Sequence, residues 1–462
     1  MQDPILDSLP AAAAGDDFAR VRELVGASRT KLVVLDDDPT GTQTMHGVDV
    51  LADWSVPSLA AALADPRPCF FVLTNTRSLP ESDAAALVRG VAANLAAAAA
   101  GTDLAVASRS DSTLRGHFAA ELEALEQGLG RPVDAKIVIP AFLEGGRYTV
   151  GNVHYVDDGG RLVPAAETEF ARDATFGYRH SNLTEWVEEK TGGAVRSGDV
   201  AAVGIDALRS PDGAARVLRQ LLALPRGAFL VVNAAAYSDL EVFVHGLLRA
   251  EAAGRRYLFR TAASFVRVRA GLHPRPLLRP SEICGHGPEG GLLVVGSYVG
   301  KTTAQLASVL ALAGVAGIEV AVGRLAERAS RAQEERRVAA SAAAAIRAGR
   351  HAVVFTSRAL ESALGRAGDL WTGQIVSATL ATIVRTVPCR PRFLIAKGGI
   401  TSSDVATGGL GMRRARVLGQ AAPGVPVWKL GPETRFPGLV YVVWPGNVGG
   451  PDALRDLVVS LT

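Results

Sequence analysis

Short apolar runs of strand length alternate with longer helical patterns through most of the chain, and each run ends in a polar turn. Lys31–Leu35 (KLVVL) runs into DDDPTG. Cys69–Thr74 (CFFVLT) runs into NTRSLPE and then an alanine-rich helical stretch. Leu104–Ser108 precedes RSDSTLRG and another helix, and Ala135–Pro140 ends at a further loop. This rhythm predicts a mostly parallel sheet covered by helices, with ligands at the carboxyl ends of the strands. Residues 145–200 break it. GGRYTVGNVHYV alternates like a hairpin, and FARDATFGYRHSNLTEWVEEKTGG follows, so the segment is expected to be an insertion that covers a site. The rhythm resumes with a strand at Ala228–Val232 and a helix over Ser238–Ala253.

The Pro- and Gly-rich stretch Gly271–Gly291 is the clearest linker in the chain. Beyond it, strands are predicted at Leu292–Val295, His351–Phe355, Arg392–Ala396 and Val440–Val443. Three of these four lead into glycine-rich loops. The expected architecture is α/β with two domains, each a mostly parallel sheet flanked by helices. Residues 1–270 form the first, 271–291 the linker and 292–462 the second, with the active site in the cleft between them.

Composition narrows the class. The chain has 462 residues, 48% of them hydrophobic, which is enough for two cores. A net charge of +3 leaves no electrostatic footprint for nucleic acid or an anionic membrane. Cys69, Cys284 and Cys389 are far apart, which argues against a structural zinc site or a disulfide framework and suits a reducing compartment. The N-terminus lacks the basic and apolar regions of a signal peptide, and apolar stretches such as Val91–Ala100 are too short to span a bilayer. A soluble, cytoplasmic protein is expected.

Six loops carry candidate chemistry. The first is Asp36-Asp37-Asp38-Pro39-Thr40-Gly41-Thr42. Three adjacent carboxylates at a strand end can take a proton from a hydroxyl or sit near Mg²⁺, and the same run also suits a solvated acidic turn. In Ser108–Gly116 (SRSDSTLRG), Asp111 or Ser112 can cap a helix, and Arg109 and Arg115 can grip a carboxylate. Asn75-Thr76-Arg77 adds another arginine just past a strand. GSYVGKT at Gly296–Thr302 invites a P-loop reading, but position 295 is valine, so the loop is one residue short of GxxxxGK[ST]. KGGITSSD at Lys397–Asp404 and WPGNVGG at Trp444–Gly450 complete three glycine loops after three strands, and together they look like a nucleotide site. Among the histidines, only His46, behind the acidic loop, and His154, in the insertion, stand near these features.

DDDPTGTQT, SRSDSTLRG, GS, KGGITSSDVA and PGNVGG, in that order, resemble the four-carbon acid sugar kinase family over roughly residues 31–455. Its members have a sugar-binding N-terminal domain and a nucleotide-binding C-terminal domain. The resemblance implies ATP-dependent phosphorylation of a tetronate such as threonate, erythronate or an oxo form at a terminal hydroxyl, with Mg²⁺ on the phosphates. Catalysis would fall to Asp37 or Asp38. Thr40, Gly41, Arg77, Arg109, Asp111, Ser112 and Arg115 would bind the acid. Ser297, Gly398, Gly399, Ile400, Thr401, Gly446 and Asn447 would bind ATP. Arg109 stands where a lysine is more usual. A metal site is not assignable, a homodimer is plausible, and no nucleic-acid or membrane partner is expected. The rivals are a P-loop-type NTPase and a non-catalytic sugar-acid sensor.

Overall fold

The computed structural model describes residues 3–12, 15–285, 287–296, 300–357, 370–446 and 448–462. Along the chain the strands are β1 (Lys31–Asp36), β2 (Asp49–Leu51), β3 (Cys69–Leu73), β4 (Leu104–Arg109), β5 (Ala135–Ile139), β6 (Arg147–Val150), β7 (Val153–Asp158), β8 (Arg161–Pro164) and β9 (Ala201–Val203). They continue with β10 (Ala228–Val232), β11 (Tyr257–Thr261), β12 (Leu292–Val295), β13 (Val315–Val320), β14 (His351–Thr356), β15 (Leu394–Lys397), β16 (Arg414–Ala422), β17 (Val425–Leu430) and β18 (Val440–Trp444). The chain forms two compact units, one of residues 1–44 and 53–274, the other of residues 45–52 and 275–462.

The first unit contains a parallel sheet in the order β3-β1-β4-β11-β5-β10-β9. Every residue of β1, β3 and β11 is buried, as strands covered on both faces must be. That burial explains why these runs lack polar alternation. Covering helices include Glu81–Ala99, Phe118–Leu129 and Tyr237–Ala252. The segment after β5 is a separate antiparallel sheet, β6-β7-β8, followed by short helical turns and the helix Leu183–Lys190.

The second unit has a parallel core, β13-β14-β12-β15-β18, extended by antiparallel β17, β16 and β2. The excursion of residues 45–52 into this unit departs from a first domain running unbroken over 1–270. Its three-residue strand pairs with β16, and Asp49 meets the guanidinium groups of Arg414 and Arg416. So short a strand carries no readable period, and its pairing is fixed by a partner more than 360 residues away. Among the described residues, no helix is long and apolar enough to cross a membrane.

Candidate functional site

In the first unit the chain moves from β1 out to β3, then crosses back over β1 to β4. A reversal of this kind opens a crevice at the strands' carboxyl ends. The loops there are the acidic run after β1, Thr74–Arg77 after β3 and the Ser110–Gly116 loop after β4. Backbone bonds lock them together. Asp37 N–H donates to Arg109 O (3.2 Å), Thr74 N–H to Asp36 O (2.9 Å) and Arg77 N–H to Asp37 O (3.3 Å). Asp38 caps the short turn Pro39–Thr42 by accepting from Thr40 N–H at 2.8 Å. Gly41 lies against the Asp36 carboxylate, where a Cβ would fall 2.0 Å from an Asp36 oxygen, so no other residue fits without displacing it. Asn75 and Leu114 both adopt left-handed backbone (φ 54° and 68°), a conformation that costs a leucine about 1–3 kcal/mol and is characteristic of ligand-binding turns.

The three aspartates have different surroundings. Burial pushes the Asp36 carboxyl up to about 8; Arg109, 3.3 Å away, opposes this but does not outweigh it. Burial also acts on Asp37, yet Arg77, with Arg260 and Arg109 behind it, holds that carboxyl below the usual range. Arg77 reaches Asp37 with Nη2 at 2.5 Å and Nε at 3.2 Å, and Ser110 donates its hydroxyl to the same carboxylate. Asp38 is the most accessible of the three, with a longer contact of 3.4 Å to Arg77 Nη1. At neutral pH the loop thus carries one proton on Asp36 and a fixed negative charge on Asp37.

Asp36 also makes a stability prediction. An unfolded aspartate releases its proton near pH 4, whereas folded Asp36 keeps it to about 8. The folded state binds the extra proton across that window, so this group's stabilisation is lost as pH rises through it. Asp36→Asn should flatten the pH dependence of urea unfolding between pH 5 and 8. An unchanged slope in the variant would show that Asp36 ionises normally.

Asp37, Asp38, Arg77, Arg109, Asp111 and Arg115 therefore gather around one set of strand ends, with Thr40 and Gly41 buried in the acidic loop. Arg109 differs from the expected free grip on a ligand: it is turned onto Asp36 and onto Gln43 Oε1 at 3.1 Å. Its Nε is buried with no hydrogen-bond partner among the described residues, and so is Nε of Arg147 on β6. Arg115 pairs with Asp111 at 2.6 Å and lies 5.1 Å over the Phe170 ring. Burial would raise Asp111, but Arg115 and then Arg77 carry it far below the usual range.

Two parts of this site were not read from the sequence. One is a buried pair, Arg260 Nη1 to Glu121 Oε2 at 2.8 Å, with Ser108 and Thr76 hydroxyls donating to the same carboxylate. A signal existed: Arg260 is the single charge in the apolar run YLFRT, and Glu121 lies on the apolar stripe of its helix beside Phe118, Leu122 and Leu125. The other is how the insertion, expected only to cover a site, holds one of its loops. His154 Nε2 meets Ser112 O at 2.7 Å, Tyr178 OH donates to Thr113 O at 2.8 Å, and Asp173 lies 3.5 Å from Arg115. The insertion thus grips the Ser110–Gly116 loop from outside. Burial pushes His154 down to about 4, so it is neutral at pH 7, which suits a support rather than a base. Ser112 contributes a held carbonyl in this arrangement.

In the second unit the strand order reverses between β12 and β15. The loops at that point begin at Gly296, at Gly398 and at Pro445. Gly398 has φ 111°, open to glycine at little cost, and its N–H donates to Trp444 O at 2.9 Å. Gly399–Asp404 form a short helix in which Ile400 stays half exposed while Thr401 is buried. Thr302 donates to Gly446 O at 3.2 Å. Lys301 sits in the first turn of the helix Gly300–Leu310. Ser297 and Asn447, both expected to touch ATP, lie outside the described residues. Among the described residues no three His, Cys, Asp or Glu side chains gather as metal ligands, and the acidic-loop carboxylates face guanidinium and N–H donors instead. These donors do not fit a resident cation.

Residues 32–269 match the family model of a sugar-binding N-terminal domain, and residues 292–454 that of a nucleotide-binding C-terminal domain. The chain is 35% identical over 158 residues to the D-threonate kinase of Bordetella bronchiseptica, covering 32% of this chain and 37% of that protein. It is 29% identical over 206 residues to the D-erythronate kinase of Heliobacterium modesticaldum, covering 44% of this chain and 42% of that one. The aligned stretches thus span less than half the length of either relative. In fold, the chain is similar to a solved structure described as a putative tRNA synthase from Salmonella typhimurium LT2, with TM-score 0.67, 17% identity, and 93% and 98% of the two chains covered. It is also similar to a Haemophilus influenzae protein, with TM-score 0.62, 18% identity, and 93% and 99% covered.

Proposed function

The chain belongs to the four-carbon acid sugar kinase family, and from that premise we propose that it transfers the γ-phosphoryl group of ATP to the terminal hydroxyl of a four-carbon sugar acid. The first unit holds the acid and the second the nucleotide. The observation that carries this reading is the charge arrangement at the first unit's strand ends. There, an aspartate is kept ionised against Arg77, and a second, more accessible aspartate lies beside it. Arg77 and Arg115 stay partly accessible, and guanidinium donors of this kind are what a sugar acid's carboxylate would meet.

The roles follow from access. Asp37 is occupied by Arg77 and Ser110, so it holds the arginine in place. Asp38, more open, accepts the hydroxyl proton as the oxygen attacks the γ-phosphorus and ADP leaves. Positioning and charge neutralisation dominate such transfers. Mg²⁺, for which the described residues offer no ready cage, belongs with the nucleotide's phosphates.

The insertion's grip makes one expectation concrete. Tyr178→Phe leaves Thr113 O without its donor at 2.8 Å and should raise KM for the acid several-fold, with kcat and KM for ATP little changed. Equal KM values in variant and wild type would mean that the grip is irrelevant to the acid. The reading as a whole is tested by steady-state assays with ATP against D-threonate, D-erythronate and their oxo forms. Tight binding of an acid without ADP formation would favour a sensor.

A further inference from the structure

Lys397 ends β15, and its side chain is fully buried. An ammonium in such a place ordinarily needs a carboxylate. None meets it among the described residues. Nζ instead donates to Pro445 O at 3.0 Å and Gly446 O at 3.3 Å, both in the loop after β18, and lies 5.9 Å from the Trp444 ring centre. Gly446 O also accepts from Thr302, on the helix that follows β12. Lys397, at the end of β15, and Thr302, on the helix after β12, thus converge on the loop that follows β18.

The peptide geometry gives this tie a direction. Among the described residues there are no cis peptide bonds, and in a trans peptide the N–H points opposite to the C=O. With Pro445 O drawn onto Lys397, the Gly446 N–H is turned away from it. That N–H has no hydrogen-bond partner among the described residues. Unpaired backbone N–H groups in a glycine turn, backed by a buried positive charge, make an anion seat.

We propose that Lys397 is a positioning residue for the nucleotide, fixing the Pro445–Gly446 turn so that the Gly446 N–H faces an anionic phosphate oxygen. This rests on the nucleotide reading of the second unit and adds a residue to it. Lys301, in the P-loop-like GSYVGKT stretch, is a second positive charge acting on Lys397. Burial first, and Lys301 second, push the Lys397 ammonium down to about 7, consistent with a charge that gains from an arriving anion.

The test compares ADP and adenosine binding to the full chain by calorimetry, for wild type, Lys397→Met and Lys301→Ala. Lys397→Met should weaken ADP by ~10–100-fold and leave adenosine within about threefold, because only ADP carries the phosphates. Lys301→Ala should weaken ADP less than Lys397→Met does, because Lys397 is the lysine that donates to the Pro445–Gly446 turn. Unchanged ADP affinity in Lys397→Met overturns the proposal, as does an equal loss of ADP and adenosine, which would mark the lysine as a general support. A second measurement needs no variant. Wild-type ADP affinity should fall as pH rises from 7 to 9, a range in which ADP is already ionised and Lys301 is the other charge acting on Lys397 among the described residues. A flat profile overturns the proposal too. A wild-type chain that binds neither ligand sinks the nucleotide reading itself.

Discussion

Asp38→Asn should lower kcat by ~10²–10⁴-fold, the usual range for removing a general base. ATP affinity should hold, because Asp38 lies in the first unit and the proposed nucleotide loops in the second. The side chain keeps its shape and its cap on Thr40 N–H, so the Pro39–Thr42 turn should survive. Asp37→Asn is the informative partner. It disturbs Arg77, whose Nη2 and Nε both rest on that carboxylate, so KM for the acid should rise together with the loss of kcat. A single-turnover experiment separates the two. Near-normal kcat in Asp38→Asn, with a collapse in Asp37→Asn alone, would reassign the base to Asp37.

Arg260→Met should be the costliest substitution for stability, at about 3–5 kcal/mol, the range for breaking a buried ion pair. It leaves Glu121 buried among Thr76 and Ser108, with two hydroxyl donors but no cation. It also removes one of the positive charges that keep Asp37 ionised, so activity should fall in whatever fraction stays folded. The double variant Arg260→Met/Glu121→Gln should recover much of the loss, since the uncompensated charge is gone. Chemical denaturation of the three proteins reads this directly. A double variant no better than the single would assign the cost to packing around Arg260.

The strands that place the site were legible because parallel strands buried on both faces leave unbroken apolar runs. KLVVL, CFFVLT and LLVV all begin where predicted and end within one residue of the expected position. The loops after them were legible as candidate sites because aspartates, arginines and glycines at the carboxyl ends of such strands can carry chemistry. The β16–β17 hairpin was not read. Its strands carry Arg414, Arg416 and Lys429 in an antiparallel pair, so it lacks the apolar continuity of its neighbours. The different states of Asp36, Asp37 and Asp38 were beyond one-dimensional reading as well. Three identical neighbours are told apart only by which guanidinium meets each, and Arg77 and Arg109 arrive from different strands. Glu121 and Arg260 lie 139 residues apart, and Lys397 is distinguished only by the carbonyls it finds after β18.

The central claim, phosphoryl transfer to a four-carbon sugar acid, is tested most directly by ³¹P NMR of the full chain with ATP, Mg²⁺ and D-threonate or D-erythronate. The account predicts a phosphomonoester resonance that grows in step with ADP, requires one of the acids and is lost in Asp38→Asn. ADP that appears with inorganic phosphate alone, at a rate indifferent to the acids, would contradict it.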